Sequence, residues 1–130
     1  MPQKLFEKVP YQTPHFLSEE NSATAADLKS ALASFFETAD EVVNAYLVRA
    51  AYSSRTNAVV LCLTTKNGRQ DPDVARQSGA IFSRMFLPNE SMDILFANKD
   101  QEHEIRHICQ PFFSRSHQGF LRKLLGLGKP

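Results

Sequence analysis

His103-Glu104-Ile105-Arg106-His107 is the run in this chain whose residue types and spacing match a catalytic motif literally. On a helix, positions i and i+4 share a face. His103 and His107 can then bind one zinc ion while Glu104 activates a metal-bound water as general base. A zinc-dependent hydrolase is therefore the alternative that the surroundings must decide, and they count against it. A catalytic zinc needs a third protein ligand, yet no Asp or Glu follows Glu104. The extended metzincin pattern wants glycine at 110 and histidine at 113, where this chain has Gln110 and Phe113. Arg106 places a cation beside any bound dication, and the two repel. Cys109, His117 and His15 are the remaining candidates for a third ligand, and nothing requires any of them. The expectation is a solvated polar helix face of Glu102, His103, Arg106 and His107 opposite buried Ile105, Ile108 and Cys109, with no metal and no cofactor.

Other constellations are less complete. Gly126-Leu127-Gly128-Lys129 is a fragment of a phosphate-binding loop in a terminal segment, and there is no GxSxG elbow. Cys62 sits in the most apolar run and is expected to be an inert core thiol. Tyr46 and Arg49 can face a ligand from a strand, although a single strand arginine is usually just exposed. The acid pairs Asp40-Glu41 and Asp71/Asp73 fall at element boundaries, where capping and solvation account for them. No catalytic residue is assigned.

The elements that must position these groups follow from periodicity. Leu28, Leu32, Phe35, Phe36 and Ala39 repeat at helical spacing, which predicts a helix near 24–38 capped by Ser22 or Thr24. Residues 42–52 are rich in β-branched and aromatic types, and 58–63 form a nearly continuous apolar run, as in a central strand covered on both faces. The polar link 53–57 suits a hairpin. After the Asn67-Gly68 turn, Asp71-Pro72 starts a helix with Val74, Ser78, Ile81, Phe82, Met85 and Phe86 on one face. Gly79 inside it costs about 1 kcal/mol relative to alanine, so close packing against the sheet is the expected reason for it. Met92, Ile94 and Phe96 alternate with Asp93, Leu95 and Ala97 as a third strand. A short helix over about 99–109 then precedes Pro111. The order is α-β-β-α-β-α. It predicts an α+β domain with a small mixed sheet of about three strands or more, packed by helices and including a right-handed β-α-β crossover.

Bulk properties bound the rest. A chain of 130 residues, 42% hydrophobic and 22% charged, fits one ordinary core. No run approaches the roughly eighteen apolar residues that cross a bilayer, and Met1 to Leu17 lack the apolar centre of a secretory signal. Two widely separated cysteines make no disulfide framework. A cytoplasmic protein is the expectation.

The net charge of +1 divides unevenly: Arg106, Arg115, Arg122, Lys123 and Lys129 supply +5 after Glu104, leaving −4 before it. Five dispersed cations are too few for a nucleic-acid surface. Residues 1–21, with Pro2, Pro10 and Pro14, read as an arm, 22–115 as the domain and 116–130 as a basic amphipathic tail. In that tail Phe120, Leu121, Leu124 and Leu125 share one helical side, and Arg122 and Lys123 fall mostly on the other. Such a stretch is either a disordered terminus or a docking peptide for a partner's groove, with weak peripheral contact to a membrane surface as a lesser use. Phe112 and Phe113 join these six as candidate partner-binding residues, the partner being another protein.

The run Glu41-Val42-Val43-Asn44-Ala45-Tyr46-Leu47-Val48 resembles the first strand of the C-terminal domain of the bacterial enhanced-serine-sensitivity (SseB) proteins. The apolar strand at 58–63, the helix at 73–86, the strand at 92–97 and the closing Gln110-Pro111-Phe112-Phe113-Ser114-Arg115 follow in that family's order. Pro-Phe-Phe resembles its usual Pro-Phe-Tyr ending. The resemblance covers about 24–115 and has no counterpart for the family's N-terminal domain. It implies an α+β bacterial domain with no catalytic residues to carry over. Together these readings point to a non-enzymatic interaction or regulatory domain.

Overall fold

A computed structural model describes residues 14–52 and 58–115 of the chain. Helix α1 spans Ala23–Thr38, and its cap is Ser22, whose Oγ accepts from the Ala25 N–H at 3.1 Å. Its apolar stripe is buried through Ala25, Leu28, Leu32 and Phe36. Strands β2 (Val42–Ala51) and β3 (Ala58–Thr65) pair antiparallel, with Tyr46 opposite Cys62 and Leu47 opposite Leu61. The link 53–57 lies outside the described residues. Gly68, at φ +72°, takes the left-handed conformation that the Asn67-Gly68 turn requires. Helix α2 (Pro72–Met85) starts as the sequence predicts, Asp71 Oδ1 accepting from the Val74 N–H at 3.2 Å and Pro72 standing in the first turn. Strand β4 (Asp93–Phe96) returns parallel to β3. Helix α3 then covers Lys99–Arg106, a shorter span than the 99–109 expected, because the chain turns after His107.

Two further short strands complete a mixed five-stranded sheet, so the α+β class holds with a larger sheet than three strands. β1 (His15–Glu19) pairs antiparallel with Val48–Ala51 of β2, and β5 (Phe113–Ser114) pairs antiparallel with Asn44 and Ala45. Both lie end to end along the same edge of β2, opposite the edge that β3 occupies. β1 is drawn from the segment read as an arm. Neither strand is legible by periodicity, since β5 has two residues and β1 has no clean alternation.

Alternation through the sheet sorts its side chains into two layers. Ala45 and Leu47 of β2, Leu61 and Leu63 of β3, and Ile94 and Phe96 of β4 face α1 and α2. Tyr46, Val48, Val60, Cys62 and Leu95 face α3. A bulge between Val42 and Asn44 shifts the register, so Val42 joins Ala45 on the α1 side. Both faces are covered, which explains why 58–63 reads as a continuous apolar run.

One expectation about packing is corrected. Beyond its own chain neighbours and helix backbone, no heavy atom of the described residues lies within 4 Å of where a Cβ on Gly79 would stand, so no packing partner explains this glycine. Ser78, one residue earlier, is the buried small residue of this helix, and its Oγ has no hydrogen-bond partner among the described residues. Met85, expected on the buried face, is 37% exposed at the end of α2.

Candidate functional site

The HEIRH run closes α3, with His103 to Arg106 in its last turn and His107 as the C-cap. Asn98 and Gln101 form a reciprocal capping box that starts the helix, and Asp100 and Glu102 in the first turn complement its positive end. The His103 and His107 rings stand edge to face with centroids 4.9 Å apart. His107 Nδ1 is 2.9 Å from the His103 carbonyl oxygen. A carbonyl oxygen only accepts, so in this contact Nδ1 carries the proton and Nε2 points away. Ile105 is wholly buried, while His103, Glu104, Arg106 and His107 are exposed.

The three candidate third ligands fare differently. His15 comes near, lining with Phe16, Glu104 and His107 a shallow crevice of about 180 Å³. Cys109 is buried behind α3, its Sγ 3.8 Å from the Leu47 carbonyl oxygen and 3.2 Å from that of Gln110. Burial, followed by the nearby Glu19 charge, pushes its pKa up to about 11. His117 lies outside the described residues. Among the described residues, no group of three or more His, Cys, Asp or Glu side chains is placed to hold a metal ion.

Glu102 departs from expectation. The expected solvated face includes it, but its carboxylate turns to the sheet and becomes the centre of a polar network. The Tyr46 hydroxyl donates to Oε2 at 2.6 Å, the Asn44 amide nitrogen at 2.8 Å and the Arg106 guanidinium at 3.4 Å. The Arg106 guanidinium also lies 5.9 Å from the centre of the Tyr46 ring. Tyr46, read as a residue able to face a ligand, is instead buried beneath α3. Burial first, and the Glu102 hydrogen bond second, raise its phenol well above the ordinary range. A sequence signal for this existed. Glu102 and Ile105 are three apart, so the acid lies on the same side of its helix as the buried isoleucine.

Cys62 is the core thiol expected, wholly buried, with its pKa raised by burial. These shifts hold two thiols and a phenol protonated, away from nucleophilic chemistry. Both cysteines are free. Arg49 Nε donates to Glu20 Oε1 at 2.6 Å, on the rim of a crevice of about 210 Å³ walled by Leu28, Leu47, Phe82 and Phe86.

The closing Pro-Phe-Phe segment is built into the body. Phe113 is 2% exposed and packs 5.7 Å from Phe36, with Phe112 half-buried at 6.3 Å from the same ring. Phe113 is thus part of the core layer over α1, and Phe112 is partly buried against it. Arg115 extends the connection. Its guanidinium donates to the carbonyl oxygens of Val42 at 2.8 Å, Ala39 at 3.2 Å and Phe36. Helix α1 has no basic residue in its last turn, so Arg115 supplies from the far end of the chain the cation that caps its negative end. Nothing local in the sequence announces this. Phe120, Leu121, Arg122, Lys123, Leu124 and Leu125 lie outside the described residues.

Comparison with known proteins adds a family. The model of the SseB protein C-terminal domain matches residues 13–115, a span that takes in β1 as well as the segment from 24 onward. No curated protein and no solved structure gives a significant match.

Proposed function

The chain belongs to the SseB C-terminal domain family, and from that premise we propose that it is a non-enzymatic bacterial interaction or regulatory protein of the cytoplasm. It acts by presenting a surface to another protein. The contact is the basic segment after Arg115, with Phe120, Leu121, Leu124 and Leu125 as anchors and Arg122 and Lys123 as steering charges. The observation that carries this reading is the Arg115 clamp. Three hydrogen bonds from its guanidinium fix the last described residue to α1 and β2, giving the following segment a rigid base. Phe112 and Phe113 join the contact where the segment leaves the body, Phe112 through the part of its ring that stays exposed.

No described helix is long and apolar enough to cross a membrane. Removing residues 116–130, with Arg115 kept, is expected to leave far-ultraviolet circular dichroism and the thermal midpoint unchanged while abolishing capture of a protein partner from a bacterial lysate. Leu121→Asp with Leu124→Asp in the full chain should abolish it equally. Unchanged capture by the shortened chain would sink the reading.

A further inference from the structure

We propose that the groove between the end of α1 and the start of α2 is the resting place of this chain's own segment 117–129. The groove encloses about 310 Å³. Phe35, Ala39 and Val74 give it apolar walls, and Asp40, Glu41, Asp71 and Asp73 bring four carboxylates to its border. Its size is at the low end for a ligand site, about 300–1,000 Å³, and suits two or three side chains rather than a whole helix.

Two observations select the occupant. The first is where the described chain ends. Arg115 hydrogen-bonds the Ala39 carbonyl oxygen, and Ala39 lines the groove. The five residues from Arg115 to Phe120 span at most about 17 Å when extended, ample for a wall already in contact with Arg115. The second is complementarity. The segment carries Arg122, Lys123 and Lys129 and no acid. Of the four acids, Asp73 pairs with Arg76 and Asp71 caps α2, so Asp40 and Glu41 are left to face the segment's cations. Phe120, Leu121, Leu124 and Leu125 share one apolar side, of which two or three side chains fill the space between Phe35, Ala39 and Val74. The long stems of Arg122 and Lys123 reach round to the carboxylates. A short tether sets an effective concentration on the order of millimolar, so a contact too weak to form between separate molecules suffices within one.

The contact would hold the segment against the body until a partner displaces it. That regulatory meaning rests on the function proposed above, whereas the contact itself is testable in the isolated full chain. A nitroxide attached through Gly126→Cys reports it. Cys62 and Cys109 are both buried, so the introduced thiol is the one labelled under native conditions. The expected result at low salt is that the amide signals of Asp40, Glu41, Asp73 and Gln77 lose more than half their intensity at every protein dilution. The exposed-site variant Asp40→Asn, Glu41→Gln, Asp73→Asn should restore them, as should 1 M salt, where the screening length falls to about 3 Å. Broadening that is absent, centred on another face, or unchanged in the triple variant would overturn the proposal. Broadening that fades on dilution would overturn it too, placing the segment on a second copy. Partner capture from a lysate bears only on the earlier reading.

Discussion

The two faces of the sheet are closed by different chemistry. Over one face, α1 and α2 lay down a hydrocarbon layer in which Leu28, Leu32, Phe36 and Phe82 pack on Leu47, Leu61 and Leu63. Over the other, α3 has eight residues and buries one of them, Ile105. A helix that short is marginal on its own, and one buried side chain gives it little apolar anchorage. Its attachment is instead a carboxylate, Glu102, received by Tyr46 and Asn44 from the sheet. The comparison teaches that a charged residue on a short helix can do what a leucine stripe does on a long one, provided the sheet offers donors.

The largest effect should come from the hydrocarbon face. Phe36→Ala removes a wholly buried ring that touches Phe35, Phe112 and Phe113, and a loss of about 3–5 kcal/mol is expected from its urea midpoint. A cost below 1 kcal/mol would mean that this face is not the main source of stability.

The polar face should respond next. Glu102→Ala strands the Tyr46 hydroxyl and the Asn44 amide, at a cost of about 1–3 kcal/mol. In a double-mutant cycle with Tyr46→Phe, a coupling of about 1 kcal/mol or more is expected. Additive effects would show that α3 is held by Ile105 without help from its carboxylate.

Alkaline pH should also act through the α3 face. The folded pKa of Cys109 is raised to about 11 from an ordinary value near 9. Both states are protonated below pH 9, so stability from this group is full there. Between about 9 and 11 the unfolded chain ionises first and stability falls, by up to about 2–3 kcal/mol. Urea midpoints from pH 8 to 11 check this, and Cys109→Ala should flatten part of the decline.

Smaller effects sharpen the contrast. Gly79→Ala on α2 has open space for its methyl group, so a gain of about 0.5–1 kcal/mol in stability is expected. A loss would reveal a close approach at Gly79. On the outer side of α3, His103→Ala should change stability by less than about 0.5 kcal/mol. Elemental analysis of the tag-free protein should give less than stoichiometric zinc, unaltered by that substitution. One zinc per chain that disappears with His103 would restore the hydrolase alternative.

The sequence by itself determined the long elements and their order. The stripe Leu28, Leu32, Phe36, the Asp71-Pro72 start of α2, the Asn67-Gly68 turn and the apolar run of β3 are local patterns, and local patterns survive without knowledge of neighbours. Membership of the family was legible in the same patterns, from Glu41-Val42-Val43 to Pro111-Phe112-Phe113. What only the tertiary structure decided were pairings across the chain. Strands β1 and β5 exist because β2 offers them an edge, Glu102 is buried because Tyr46 and Asn44 lie beneath it, and Arg115 caps a helix more than seventy residues away. The HEIRH run divides along the same line. Its i, i+4 geometry on a helix followed from spacing, whereas the inward turn of the neighbouring acid and the placement of Cys109 behind the helix depended on what the sheet presents there. Hydrophobic period is a property of the chain, but the partner of a polar group is a property of the fold.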